Sequence, residues 1–130
     1  MSSIVELMLK KDPFVFSGKV TETQITEAEK KLGVQFSDDY REYLLAFGTA
    51  SYYGHELTGI SENDSTINVV DVTLLERNHF AEIPKGWYVI EQTHIDGIVI
   101  WQDEKGTIYQ VTPHSHKIIY RSLKEYVTSE

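Results

Sequence analysis

Ile4, Val5, Met8 and Leu9 recur at the three- and four-residue spacing of a helix face, which predicts a short helix over residues 2–10. Asp12-Pro13 ends it, because the residue before a proline is driven out of helical conformation. Phe14, Val15 and Phe16 are apolar, and Gly18 marks a loop. Ile25, Ala28 and Leu32 form a second helical stripe over 22–32. Thr21-Glu22-Thr23-Gln24 has the form of a capping box at its start, and Gly33 stands where a left-handed residue closes a helix. Ser37 opens a third run, with Asp38 and Asp39 in the first turn, where the helix dipole favours carboxylates. Tyr40, Tyr43, Leu44 and Phe47 then share one face, and Gly48 stops it.

Past residue 50 the period shortens. Residues 52–60, YYGHELTGI, read as a strand, and 61–65, SENDS, as a polar turn. Residues 66–72 read as a short strand running into a helix that continues through Asn78. Pro84-Lys85-Gly86 breaks the pattern. Four strands follow at 87–93, 98–102, 107–111 and 117–121, separated by links rich in Gly, Asp, Pro and Ser. Ser122 caps a last helix, Leu123–Thr128. Helices, then an antiparallel meander, then a helix predict an α+β fold: a twisted antiparallel sheet of about five to six strands with helices packed on one side.

The 130 residues suit one domain spanning 1–130, with an ordinary 41% hydrophobic content. With no cysteine, disulfides and thiolate chemistry are excluded. The first residues lack the basic start and long apolar run of a signal peptide, and no stretch is apolar enough for a membrane span, so a soluble cytoplasmic protein is expected. The net charge of −8 is uneven. Residues 37–82 carry nine acids and two bases, while the segments before and after are nearly balanced. Such a field disfavours nucleic acid and favours a basic partner; its plain reading is a solvated surface.

The corner between the second and third helices resembles a known family. Ile25-x-x-Ala28-Glu29-x-x-Leu32-Gly33, then Ser37-x-x-Tyr40-Arg41-x-Tyr43-Leu44, then Phe47-Gly48, is similar to the signature of the SMI1/KNR4 (SUKH) superfamily. Tyr53-Gly54, Pro84, Gly97, Gly106 and Leu123-x-x-Tyr126 fit its later layout. The family's usual Leu-Pro is Phe36-Ser37 here; Phe can fill the leucine pocket and Ser can cap the helix. The resemblance implies a protein-binding module without catalysis, in bacteria most often an immunity protein that neutralises a toxin, many such toxins being nucleases. A regulatory scaffold for endogenous client proteins is the second reading.

The residues point to a contact surface of acids and aromatics. Alternation in a strand sends one of Tyr52 and Tyr53 outward, and exposed tyrosine among acids is the composition of a protein-binding patch. The expected partner-binding set is Asp38, Asp39, Glu42, Tyr52, Tyr53, His55, Glu56, Glu62 and Asp64. Asp38 and Asp39 equally suit a helix start. The sharpest enzyme alternative is a metal site from His94, Asp96, His114 and His116, provided their turns converge. No phosphate-binding glycine loop, dinucleotide fingerprint or nucleophile elbow is present, and nothing in the sequence calls for a cofactor.

Overall fold

The computed structural model describes residues 3–80 and 82–129. Its elements run α1 (Ile4–Leu9), β1 (Phe14–Phe16), α2 (Glu22–Leu32), α3 (Asp38–Phe47), β2 (Ala50–Tyr52), β3 (His55–Leu57), α4 (Val69–His79), β4 (Tyr88–Gln92), β5 (Val99–Gln102), β6 (Ile108–Val111), β7 (His116–Tyr120) and α5 (Leu123–Thr128). The strands form one antiparallel sheet in sequence order, so the fold is α+β as the sequence predicts, with seven strands rather than five or six. The difference comes from β1, whose three residues are too short to show a period, and from the region around 52–60, which holds two strands, β2 and β3.

The predicted corner is built as the sequence implies. Thr21 Oγ1 accepts from Gln24 N at 3.1 Å, and Gln24 Oε1 accepts from Thr21 N at 2.8 Å. Gly33 turns left-handed at φ 68°. Ser37 caps α3, and Phe36 lies edge-on to Tyr40 and Tyr88 in the core. Arg41 clasps the corner through Glu29 at 2.8 Å and Glu22 at 2.6 Å. The expected helix over 2–10 is α1, capped by Ser3; residue 2 lies outside the described residues.

Two predicted strands are different elements. Residues 52–60 are a hairpin, because Tyr53 and Gly54 both take positive φ, 46° and 84°, and turn the chain back. Residues 66–72 hold no strand beyond a single bridge from Asn68 to Gly59. Asn68 accepts from Val70 N at 3.0 Å and starts α4 there, so Val69 and Val72 are helical.

The sheet carries an apolar cluster on each face. α1, α2, α3 and α5 cover one, closing a core around Tyr40, Tyr43, Leu44, Ile90, Ile100 and Leu123. Buried hydroxyls find partners: Tyr43 Oη donates to Thr58 O at 2.8 Å, and Tyr88 Oη donates to Gln102 Oε1 at 2.7 Å. Burial pushes the Tyr40, Tyr43 and Tyr88 phenols far up. The opposite, outer face holds a smaller cluster of Val72, Val89, Val99, Trp101 and Val111. α4 runs along the edge of β4, with Val69 in the main core and Val72 in the outer cluster. Thr73 Oγ1 accepts from Val89 N at 3.0 Å, taking over where β3 leaves β4.

A bulge in β4 decides which side chains face where. Val89 pairs with Trp101 and Glu91 with Ile100, leaving Ile90 as the extra residue. The extra residue resets the alternation: Glu91 turns to the helices and Gln92 to the outer face.

Candidate functional site

The hairpin β2–β3 gathers four of the expected binding residues, Tyr52, Tyr53, His55 and Glu56. Its two-residue turn needs positive φ at both central positions, a geometry that Asn-Gly adopts with little strain. A bulky side chain at the first position is strained there, by about 1 kcal/mol or more. That residue is Tyr53, and its side chain is not buried in return: it is 51% exposed. Its hydroxyl accepts from Asp12 N at 3.2 Å. The Lys11 ammonium lies 4.5 Å from the centre of the Tyr52 ring and 5.1 Å from that of Tyr53.

Beneath the turn sits a buried carboxylate. Glu91 is only 3% exposed. It accepts from His55 Nδ1 at 3.0 Å, from Glu56 N at 3.1 Å and from the Tyr126 hydroxyl. Those donors tie β3, β4 and α5 together at one point. Tyr52 is buried beside it, its ring 5.2 Å from His55.

On the outer side the hairpin is open. Val15, Ser51 and Glu56 pair across β1, β2 and β3 in one row, and Val15 is 63% exposed. A cavity of about 340 Å³ runs along this row under Tyr53, and a second of about 190 Å³ continues it towards Ile67. The surface thus offers an exposed phenol, an aliphatic floor and the Glu56 carboxylate.

The other expected residues lie apart from it. Asp38 and Glu42 are exposed on α3, towards the end of the sheet marked by Gln102. Asp39 is engaged inside the fold: it accepts from Ser37 Oγ at 2.6 Å, and from Leu123 N at 2.7 Å at the start of α5. Asp39 is thus half-buried and tied to α5, and Tyr52 is buried. Glu62 accepts from Gln24 Nε2 at 3.3 Å, and Asp64 accepts from Thr66 N at 3.0 Å, both in the loop before α4. Strand register brings the β4–β5 turn, with His94 and Asp96, and the β6–β7 turn, with His114, to the same end of the sheet. Yet among the described residues no three acid or histidine side chains form a group able to hold a metal ion, so the four-residue site does not assemble.

Sequence reasoning does not reach Glu91. Its one signal is the polar pair Glu91-Gln92 closing an apolar strand, and alternation alone would send Glu91 to the outer face. The bulge that turns it inward has no sequence mark.

No helix among the described residues is long and apolar enough to cross a membrane. No curated protein matches the chain. A solved structure of a protein from Pseudomonas syringae pv. tomato has the same fold, with a TM-score of 0.72 at 18% identity, covering 95% of this chain and 91% of that one. The profile of the family described as SMI1-KNR4 cell-wall (SUKH_5) matches residues 1–130. With the two-helix corner, the meander and the closing helix all in place, the chain belongs to the SMI1-KNR4 family.

Proposed function

We propose that this chain is an immunity-type binding module: one domain over residues 1–130 that neutralises a cognate toxin by stoichiometric contact in the cytoplasm. The observation that carries the reading is Tyr53, a strained and exposed aromatic at the head of an open apolar groove. Strain of this kind persists where the surroundings over-determine it, and it clusters at binding sites. The Glu91 network beneath supplies that rigidity. A rigid tyrosine is an efficient anchor, since little side-chain freedom is lost on contact. Around it, residues 37–82 hold nine acids against two bases, which favours a basic toxin domain of the nuclease type and speeds its approach. Glu56, Glu62, Asp64, Asp38 and Glu42 are among the exposed carboxylates of that field.

The test is retention of proteins from an extract of the producing organism on the purified chain, with mass spectrometry of what is held. One toxin-like domain, bound one-to-one and inactive while bound, supports the reading. Several unrelated housekeeping proteins favour the regulatory scaffold instead. With a partner in hand, Tyr53→Ala is expected to speed dissociation by about tenfold or more. Replacing Glu56, Glu62 and Asp64 with Lys is expected to slow association at low salt.

A further inference from the structure

Gln92, the residue that the β4 bulge turns outward, donates from Nε2 to Glu76 Oε2 at 2.7 Å. Glu76 stands on the third turn of α4 and is 6% exposed. Its other oxygen accepts from His79 Nδ1 at 3.0 Å. These donors are an amide and a solvent-exposed imidazole. Among the described residues Glu76 has no lysine or arginine in ion-pair range. Arg77, next in the chain, points away and donates to Leu32 O at 3.0 Å and Lys85 O at 2.9 Å. A carboxylate removed from water calls for its charge to be answered, and here no lysine or arginine among the described residues does so.

The carboxylate is also reachable. Glu76 lines a cavity of about 380 Å³ on the outer face, walled by Phe80, Val99, Gly97 and Pro113. This cavity shares His79, Phe80 and Pro113 with a larger one of about 460 Å³, which contains a second carboxylate, Glu82. No lysine or arginine lines either. One wall is the β4–β5 turn, where His94 and Asp96 take positive φ of 59° and 52°. With Tyr53, these are the non-glycine positive-φ residues of the described chain, and all lie in turns at one end of the sheet.

We propose that this trough receives an arginine or lysine side chain of the partner protein, with Glu76 as its counter-charge and Phe80, Val99 and Pro113 against its methylenes. The inference rests on the reading of the chain as a protein-binding module and adds a second contact to the one at Tyr53. Its lining fits a basic side chain: two carboxylates, the apolar Phe80, Val99 and Pro113, and no lysine or arginine, with His79, His114 and His116 at its sides.

The probe is N-acetylargininamide, titrated into isotope-labelled protein and followed by two-dimensional NMR. Saturable, millimolar shifts confined to Glu76, His79, Gly97, Val99 and their neighbours are expected. Glu76→Gln should weaken them by about tenfold, while Glu62→Gln leaves them unchanged. His79→Lys, at an exposed position, places an ammonium beside Glu76 and should abolish the shifts in a protein that remains folded. Shifts that survive both Glu76→Gln and His79→Lys, or that spread evenly over surface acids, would overturn the proposal. Micromolar binding of free putrescine would overturn the assignment to a protein side chain. If a one-to-one partner is captured and the titration fails, the trough alone falls. If the titration succeeds and no partner is ever held, the immunity reading falls and the trough stands only as a cation site.

Discussion

Glu91 and Glu76 are both buried carboxylates beside β4, one on each face of the sheet, and their surroundings differ. Glu91 is enclosed by three donors from two other elements, a histidine and a main-chain amide of β3 and a phenol of α5. Glu76 has an amide and an exposed imidazole, and then an open cavity. Donors from several elements make a carboxylate part of the fold's cohesion, whereas a carboxylate facing a cavity keeps its field available to what enters. The same bulge at Ile90 creates both sites, by turning Glu91 inward and Gln92 outward.

Substitutions can break this contrast. Glu91→Ala should destabilise the chain by about 3 kcal/mol, because it removes the acceptor that three donors share and leaves a void; urea unfolding measures it. High pH acts on the helix-covered face in the same direction. Burial raises the folded-state pKa of Tyr40, Tyr43 and Tyr88 above the unfolded value near 10. Above about pH 10 the unfolded chain sheds phenolic protons that the folded one retains, so stability present below that pH declines as pH rises. A tyrosinate absorbance increase coincident with loss of circular dichroism is the expected signature. Tyr109, on the outer face, is different. Burial first and the acceptor Asp103 second raise its pKa to about 12, at a position that is only half-buried.

Smaller effects sharpen the comparison. Glu76→Ala should change stability by about 1 kcal/mol or less, since His79 and Gln92 can turn to water. Tyr53→Asn should raise stability by about 1 kcal/mol through relief of the positive-φ strain, while weakening retention of the partner. Thermal unfolding measures the first and the captured complex the second. A Tyr53→Asn protein that is less stable than the parent would remove the strain argument.

Much of the fold is legible in the sequence because local chemistry sets it. Thr21 with Gln24, Gly33, Ser37 and Ser122 are caps whose partners lie within a few residues, and the elements they bound are where the pattern puts them. Readings fail where a long-range contact decides. Tyr53 stands where a hairpin turn usually has Asn, Asp or Gly, so the β2–β3 turn is hidden inside an apparent strand. Asn68 caps a helix within an apolar run that suits a strand equally well. The site is less legible than the fold. Tyr53 and Glu56 are exposed side by side on the hairpin, but Asp39 resembles any helix-start acid until Leu123, distant in sequence, is seen to donate to it. Glu76 looks like an ordinary helix-surface residue, because its burial depends on Gln92 and the β4–β5 turn.

The most direct test of this division between the two faces is equilibrium urea unfolding of Glu91→Ala and Glu76→Ala beside the parent chain. The account predicts a loss of about 3 kcal/mol for the first and about 1 kcal/mol or less for the second, with unchanged denaturant slopes. Equal losses, or a larger loss for Glu76→Ala, would contradict it, and would make the outer carboxylate a structural group.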